Sequence, residues 1–291
     1  MDLILNEKQY VENMLELGNC NSKDLGASIA LLTRYMYQED YTQKEIYSGI
    51  EEFATKVDSE FDINTWYSFI DRCISKAKKR DLLKIDYIPI TQKELDTIKE
   101  LKNPARERLA FTLLVIAKFN NLKSETNNNW INYSMDVFFK LARVTCKVDE
   151  RPNMLYDLKE SSLLEVSKKI THFNIRVTFV DNESEPVLKI TDMRELGYQY
   201  QELGAKSKIK RCKRCGKPYK VKSSKARSPF CSDCQNQIGT EPKIIKCEQC
   251  GKEFLASPYN TRSVLCSSCH ENLVRETSKN LMRKLRKKRK C

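Results

Sequence analysis

Glycine is scarce in this chain: eight residues in 291, alongside eight prolines, two histidines and two tryptophans. Scarce glycine leaves little material for phosphate-cradling loops, and neither G-x-x-x-x-G-K-[ST] nor G-x-G-x-x-G occurs. H-E-x-x-H and the G-x-S-x-G nucleophile elbow are missing as well. His172 and His270 lie far apart in sequence, so histidine-based general-base chemistry has little to assemble from. No stretch approaches the roughly 18 consecutive apolar residues of a membrane span. The opening MDLILNEKQY lacks the basic region, apolar run and small-residue cleavage site of a secretory signal. These absences lead us to expect a cytoplasmic protein that is not an enzyme and has no membrane partner.

Cysteine is abundant instead, at twelve residues, and eight of them form two quartets. Cys212, Cys215, Cys231 and Cys234 read C-x2-C-x15-C-x2-C, and Cys247, Cys250, Cys266 and Cys269 repeat that spacing 35 positions later. A C-x2-C pair aims two sulfurs at one point, and two such pairs build the tetrahedral site of a structural Zn²⁺ ion. Segment 209–234 aligns without gaps on 244–269. The pairs Ile209/Ile244, Gly216/Gly251, Lys217/Lys252, Arg227/Arg262, Ser228/Ser263 and Ser232/Ser267 are identical, and Tyr219 matches Phe254. This is a tandem duplication of a small metal-held unit. A reducing compartment favours metal over disulfides. We therefore expect two structural zinc ions, with iron in a rubredoxin-like site as the runner-up. Each quartet pairing with itself is the simpler arrangement, a cross-braced one the alternative. His270 is a possible substitute for Cys269, although an exposed residue after the knuckle is the plainer reading. Four thiolates leave no open metal position, which makes these sites structural rather than catalytic.

Charge is unevenly placed. Residues 201–291 hold 24 Lys and Arg against 7 Asp and Glu; residues 1–200 hold 28 against 32. Two tetrathiolate zinc sites, each about −2, lower the positive end only to roughly +13. Such a field on ninety residues points to a polyanion. The expected nucleic-acid contacts are Lys210, Arg211, Lys213, Arg214, Lys217, Lys220, Lys222, Lys225 and Arg227 in the first unit, and Arg262 in the second. Arg283, Lys284, Arg286 and Lys287 add to them in a tail whose Val274, Thr277, Leu281 and Leu285 follow a helical spacing. The second unit carries Glu248 and Glu253 where the first has Lys213 and Pro218, which fits a spacer or a protein contact.

The first two hundred residues read as a mainly helical structure. Helices are expected over 6–17, 23–38, 43–57 and 63–79. Their start signals are Ser22, the capping box Thr42-Gln43-Lys44-Glu45, and Asp62 or Asn64. Cys73 falls on an apolar face and reads as core. A second capping box, Thr91-Gln92-Lys93-Glu94, opens a helix near 91–101, and Asn103-Pro104 opens a longer one carrying Leu109, Leu113, Ile116 and Ala117. Short helices follow near 136–144 and 150–160. Strands are expected at 164–170 and 175–179, with 187–191 as a possible third. Helix, helix, helix, strand, turn, strand is the order of a winged helix-turn-helix over about 104–181. Asp149, Glu150, Asp157 and Glu160 outnumber Arg151 and Lys159 on its third helix, so DNA reading and protein contact both stay open.

The pattern C-x2-C-G-K-x-[FY]…C-x2-C followed by a Lys/Arg-rich helix resembles zinc-ribbon proteins from phages and prophages of low-GC Gram-positive bacteria. The segment Leu32-Thr33-Arg34-Tyr35-Met36-Tyr37 with Tyr41-Thr42-Gln43-Lys44-Glu45 is similar to helical proteins of the same source. The expected organisation is a helical domain over 1–85, a winged-helix-like domain over 86–200, zinc ribbons over 201–240 and 241–270, and a basic helix or tail over 271–291. The function that follows is a zinc-ribbon nucleic-acid-binding protein, DNA favoured over RNA, regulating phage replication or transcription. The competing expectation is an adaptor or inhibitor that binds a host protein through the acidic residues 1–200. The core of that half contains none of the zinc ligands, so their removal is expected to leave it intact.

Overall fold

The computed structural model describes residues 3–17, 25–124, 126–167, 174–204, 207–221, 229–240, 243–256, 265–273 and 275. Two compact units emerge, one of residues 1–209 with 217–224, the other of 210–216 with 225–291. The protein is mainly helical, with small sheets.

The first unit opens with four helices: α1 Glu7–Leu17, α2 Leu25–Gln38, α3 Gln43–Val57 and α4 Ile63–Ala77. Each contributes one apolar stripe to a shared core. Val11 and Met14 come from α1, Ile29, Leu32 and Met36 from α2, Ile46, Ile50 and Phe53 from α3, and Ile70 and Ile74 from α4. The capping box at Thr42 forms in full, its hydroxyl accepting from the Glu45 N–H while the Glu45 carboxylate accepts from the Thr42 N–H. Such caps are each worth about 1 kcal/mol. Asp62, not Asn64, caps α4. Cys73 is buried, and that burial pushes its thiol pKa up. Ser22 lies outside the described residues.

A second core begins at β1 Ile88–Thr91 and α5 Gln92–Lys99. Its axis is α6 Pro104–Lys123, which starts with Asn103 as cap and Pro104 in the first turn. Every residue from Leu109 to Phe119 is buried. Such a helix is wrapped on all sides, so it carries no amphipathic stripe. Around it lie β2 Trp130–Ile131, α7 Met135–Leu141, α8 Arg151–Glu160, β3 Leu164–Val166 and β4 Ile175–Val177. The three strands form one antiparallel sheet in the order β2-β4-β3, with Ile131 opposite Ile175 and Leu164 opposite Val177. Strand β5 Pro186–Ile190 is present where sequence expected a third strand, but it pairs with β1, Ile88 opposite Ile190. The third place in the sheet belongs to β2, which is two residues long and too short to show alternation. The turn at 171–173 lies outside the described residues.

Helix α9 Leu196–Glu202 then packs on α6. Gly197 permits close approach to the end of α7, because a Cβ there would fall 1.8 Å from the Ala142 carbonyl oxygen. Below β1 sits a buried ion pair. Lys118 Nζ lies 2.6 Å from Glu94 Oε1 and donates to the carbonyls of Pro89 and Asp181. Glu94 also accepts the N–H groups of Thr91 and Asp181. All these groups are satisfied, which marks the network as structural.

The cysteine-rich end consists of β6 Ile209–Arg211, β7 Pro218–Lys220, α10 Ser232–Thr240, β8 Lys243–Lys246 and β9 Glu253–Ala256, followed by helical residues 267–273. Strands β6 and β7 pair, as do β8 and β9. The segment 217–224 belongs with residues 1–209: Pro218 and Val221 are buried, β7 lies against α9, and Lys217 Nζ is 3.7 Å from Glu195 Oε1. The packing of residues 1–209 thus includes the strand that follows the first knuckle, while its two apolar cores contain none of the eight quartet cysteines.

Candidate metal centres

Both quartets assemble, each within itself. In each, the four sulfurs lie within 4.8 Å of one another. The cross-braced alternative does not occur among the described residues. Cys212 and Cys215 occupy the turn between β6 and β7, and Cys231 and Cys234 the start of α10. Cys247 and Cys250 occupy the turn between β8 and β9, and Cys266 and Cys269 the start of the helical residues that follow. The glycine after each first pair closes the knuckle. Gly216 donates its N–H to the Cys212 carbonyl at 2.9 Å and Gly251 donates to Cys247 at 2.8 Å, with φ of +70° and +72°. Side chains rarely adopt that backbone region, which explains why glycine stands at both positions. In the first unit the Lys213 N–H donates to the Pro229 carbonyl, binding one pair to the other.

The electrostatics of the sulfurs differ in a regular way. At Cys212 burial raises the thiol pKa, but N–H donation from Cys231, Cys215 and Arg214 outweighs it and brings it to about 6. At Cys247 the Cys266 N–H, 3.3 Å from the sulfur, lowers it. Cys266 is drawn to about 6 by the Ser268 hydroxyl and the Cys269 N–H. The last sulfur of each quartet moves the other way. Cys234 is raised by burial and by its three sulfur neighbours, and Cys269 is pushed up to about 12, first by Cys266. N–H and hydroxyl donors thus favour the thiolate at Cys212, Cys247 and Cys266, while the neighbouring sulfurs oppose ionising Cys234 and Cys269.

A divalent cation resolves that conflict. Cys215 and Cys231 sulfurs lie 3.8 Å apart, and Cys250 and Cys266 sulfurs 3.6 Å apart. A tetrahedron of about 2.3 Å metal–sulfur bonds has edges near 3.8 Å. The geometry and the all-sulfur donor set fit a four-coordinate ion, and these eight cysteines would hold two. His270 is exposed and its N–H donates to the Cys266 carbonyl; the sulfur of Cys269 completes the set.

Around the first quartet, Lys208, Lys210, Arg211, Lys213, Arg214 and Lys220 are all exposed. Lys217 stands apart, its side chain only 18% exposed and facing Glu195. Glu195 also receives a two-pronged ion pair from Arg143. Sequence reasoning missed this pairing because Glu195 lies 22 positions before Lys217 in a segment without periodic pattern. Lys222, Lys225, Arg227, Arg262, Arg283, Lys284, Arg286 and Lys287 lie outside the described residues.

Helix α8 presents Pro152, Asn153, Tyr156, Lys159 and Glu160 outward. Pairing leaves the acidic excess on this helix as its composition implies, because Arg151 is itself engaged by Asp136. Asp157 is paired with Arg106, and the Glu150 carboxylate accepts the Lys147 N–H. Lys159 Nζ lies 5.6 Å from the Tyr156 ring centroid.

No protein-family model, no curated protein and no solved structure matches the chain.

Proposed function

We propose that this protein is a zinc-held nucleic-acid-binding protein, DNA favoured over RNA, acting as a phage-type regulator of replication or transcription. The observation that carries the proposal is the set of exposed cations, Lys208, Lys210, Arg211, Lys213, Arg214 and Lys220, around the first cysteine quartet. A phosphate backbone would replace the counterions of such a surface, and their release drives binding. The quartets supply rigidity. In this reading zinc ties each hairpin to the helix that follows it, so the cations are presented on a fixed frame and less entropy is lost on binding.

The front half enters the same reading as a winged-helix-like module. Its support is the order α6, β2, α7, α8, β3, β4 with the sheet order β2-β4-β3. The outward Asn153, Tyr156 and Lys159 are residue types suited to base edges and phosphates.

The test is the salt dependence of duplex DNA binding by the full-length protein. The expected result is a steep fall of log K with log salt, and a slope reduced by about 3–4 when Lys210, Arg211, Lys213 and Arg214 are changed to Ala. Undetectable binding at ~50 mM salt would reject the proposal. Capture of one host protein by residues 1–200 under those conditions would establish the adaptor reading instead.

A further inference from the structure

The two quartets share spacing, knuckle turns and sulfur separations, but they differ in what reaches the sulfurs. In the first, Cys212, Cys231 and Cys234 are buried and Cys215 is half-buried. In the second, Cys247 and Cys266 are buried, Cys269 is half-buried and Cys250 is exposed. Their charge surroundings differ too. Both pairs are preceded by a cation, Arg211 and Lys246, but Lys213 and Arg214 stand inside the first pair where Glu248 and Gln249 stand inside the second. In a metal-bound quartet every sulfur is already a thiolate, so neighbouring cations act only by lowering thiolate basicity and with it nucleophilicity, and a carboxylate does the opposite.

We propose that the second quartet is a peroxide-sensitive site, with Cys250 as the attacking sulfur and Cys266 as its resolving partner. The inference rests on the zinc assignment above and is independent of what the cations bind. The Cys250 thiolate attacks one oxygen of hydrogen peroxide. An S–O bond forms, the O–O bond breaks, and hydroxide leaves to be protonated to water. Cys250 is then a sulfenic acid. The Cys266 thiolate, 3.6 Å away, attacks that sulfur; the S–S bond forms, the S–O bond breaks, and a second hydroxide departs as water. Two thiolates have given up two electrons and one peroxide has taken them, with two protons consumed. Closing 3.6 Å to the roughly 2.05 Å of a disulfide requires a modest shift of the Cys250 turn. A site left with two thiolates no longer retains its ion. In the first quartet Cys215 and Cys231 offer the same pairing at 3.8 Å, but Cys215 is half-buried where Cys250 is exposed. One unit thus serves as the internal control for the other.

The experiment uses the full-length protein loaded with zinc. A content of two equivalents before oxidation tests the metal assignment by itself. Hydrogen peroxide is then added in increments, released zinc is followed with a chromogenic chelator, and cysteine states are mapped by mass spectrometry of peptides. The expected result is release of one equivalent about tenfold faster than the other, matched by a Cys250–Cys266 disulfide while the first quartet stays reduced. Dithiothreitol with added zinc should restore the second equivalent. Glu248→Lys should slow the early release about threefold without altering zinc content, because it lowers the basicity of a sulfur that is already a thiolate. Release of both equivalents at one rate, or oxidation of the first quartet before the second, would overturn the proposal. A Glu248→Lys protein that releases zinc as fast as the parent would remove its electrostatic half.

Discussion

The two cysteine units are copies with different surroundings. In the first, the strand after the knuckle carries Pro218 and Val221, both buried with residues 1–209, and Lys217 faces Glu195. In the second, Glu253 stands where Pro218 does and is exposed, in a loose pairing with Lys246 at 3.8 Å. Ile244, the counterpart of Ile209, is 68% exposed. What the copies share is the ligand chemistry: four sulfurs, one positive-φ glycine, one helix start. The surface around that chemistry is what differs. A metal site of this kind is a local fold nucleus whose stability needs only its own ligands, so its outer residues are free to become cationic, apolar or acidic.

The largest expected difference comes from removing ligands. Cys212→Ser with Cys215→Ser should abolish one zinc equivalent, and so should Cys247→Ser with Cys250→Ser. Structural zinc sites are worth on the order of 10 kcal/mol to their own units, so each pair should unfold its unit. Only the first pair should reach further. Lys217 follows Gly216 directly, and loss of the knuckle frees the end of a strand that the front half packs. A loss of about 1–2 kcal/mol there would lower the front half's thermal midpoint by a few degrees. Tyrosine and tryptophan fluorescence melts of the two variants compare them directly. Equal midpoints would show that β7 contributes nothing to the front half.

Charge removal should produce the next effect. Changing Lys210, Arg211, Lys213 and Arg214 to Ala is expected to reduce the salt slope of DNA binding by about 3–4. Changing Lys246 and Lys252 to Ala should reduce it by less than about 1, since Glu248 and Glu253 already offset that surface. Equal reductions would place the nucleic-acid contact on both units.

Sequence made the two cysteine clusters legible because C-x2-C is a local geometric device, read without knowing the fold. Helix starts were legible for the same reason: Thr42, Asp62, Thr91 and Asn103 all cap as their neighbours imply. What escaped was long-range. Glu94 reads as a capping residue, and it is one; its second role, the buried pair with Lys118, depends on α5 folding against α6. Strand β5 was visible, but its partner β1 lies about a hundred residues earlier. Helix α6 lost its expected stripe because its neighbours cover every side. Lys217 looked like one more surface cation until Glu195 arrived beside it.

Glycine at the knuckle tests the shared half of the comparison. Gly216→Ala and Gly251→Ala each put a Cβ where nothing lies within 4 Å, so neither meets a steric wall. The cost is conformational only, from φ values of +70° and +72°, and should be about 1 kcal/mol in each unit. Zinc affinity measured by chelator competition should therefore fall about fivefold at both sites, a factor that follows from 1 kcal/mol. A much larger loss at Gly216 would show that β7, held at its far end by the front half, cannot relax around the new side chain.

The smallest expected effect separates the units most finely. Lys217→Ala removes a cation 3.7 Å from Glu195, while Lys252→Ala removes its aligned, exposed counterpart. Glu195 keeps its pairing with Arg143 in the first variant, so its charge is not stranded. The loss of stability should stay below about 1 kcal/mol, as for other partly solvated pairs, and Lys252→Ala should cost nothing measurable. The two variants also differ in which ligand they report on. With its ammonium engaged by Glu195, Lys217 should contribute less to the salt slope of DNA binding than Lys213 does, although the two lie four residues apart. A Lys217→Ala variant that lowers the slope by a full unit, with an unchanged melting point, would mean that phosphate takes Lys217 away from Glu195 in the complex. The Lys217–Glu195 contact would then be one that binding breaks.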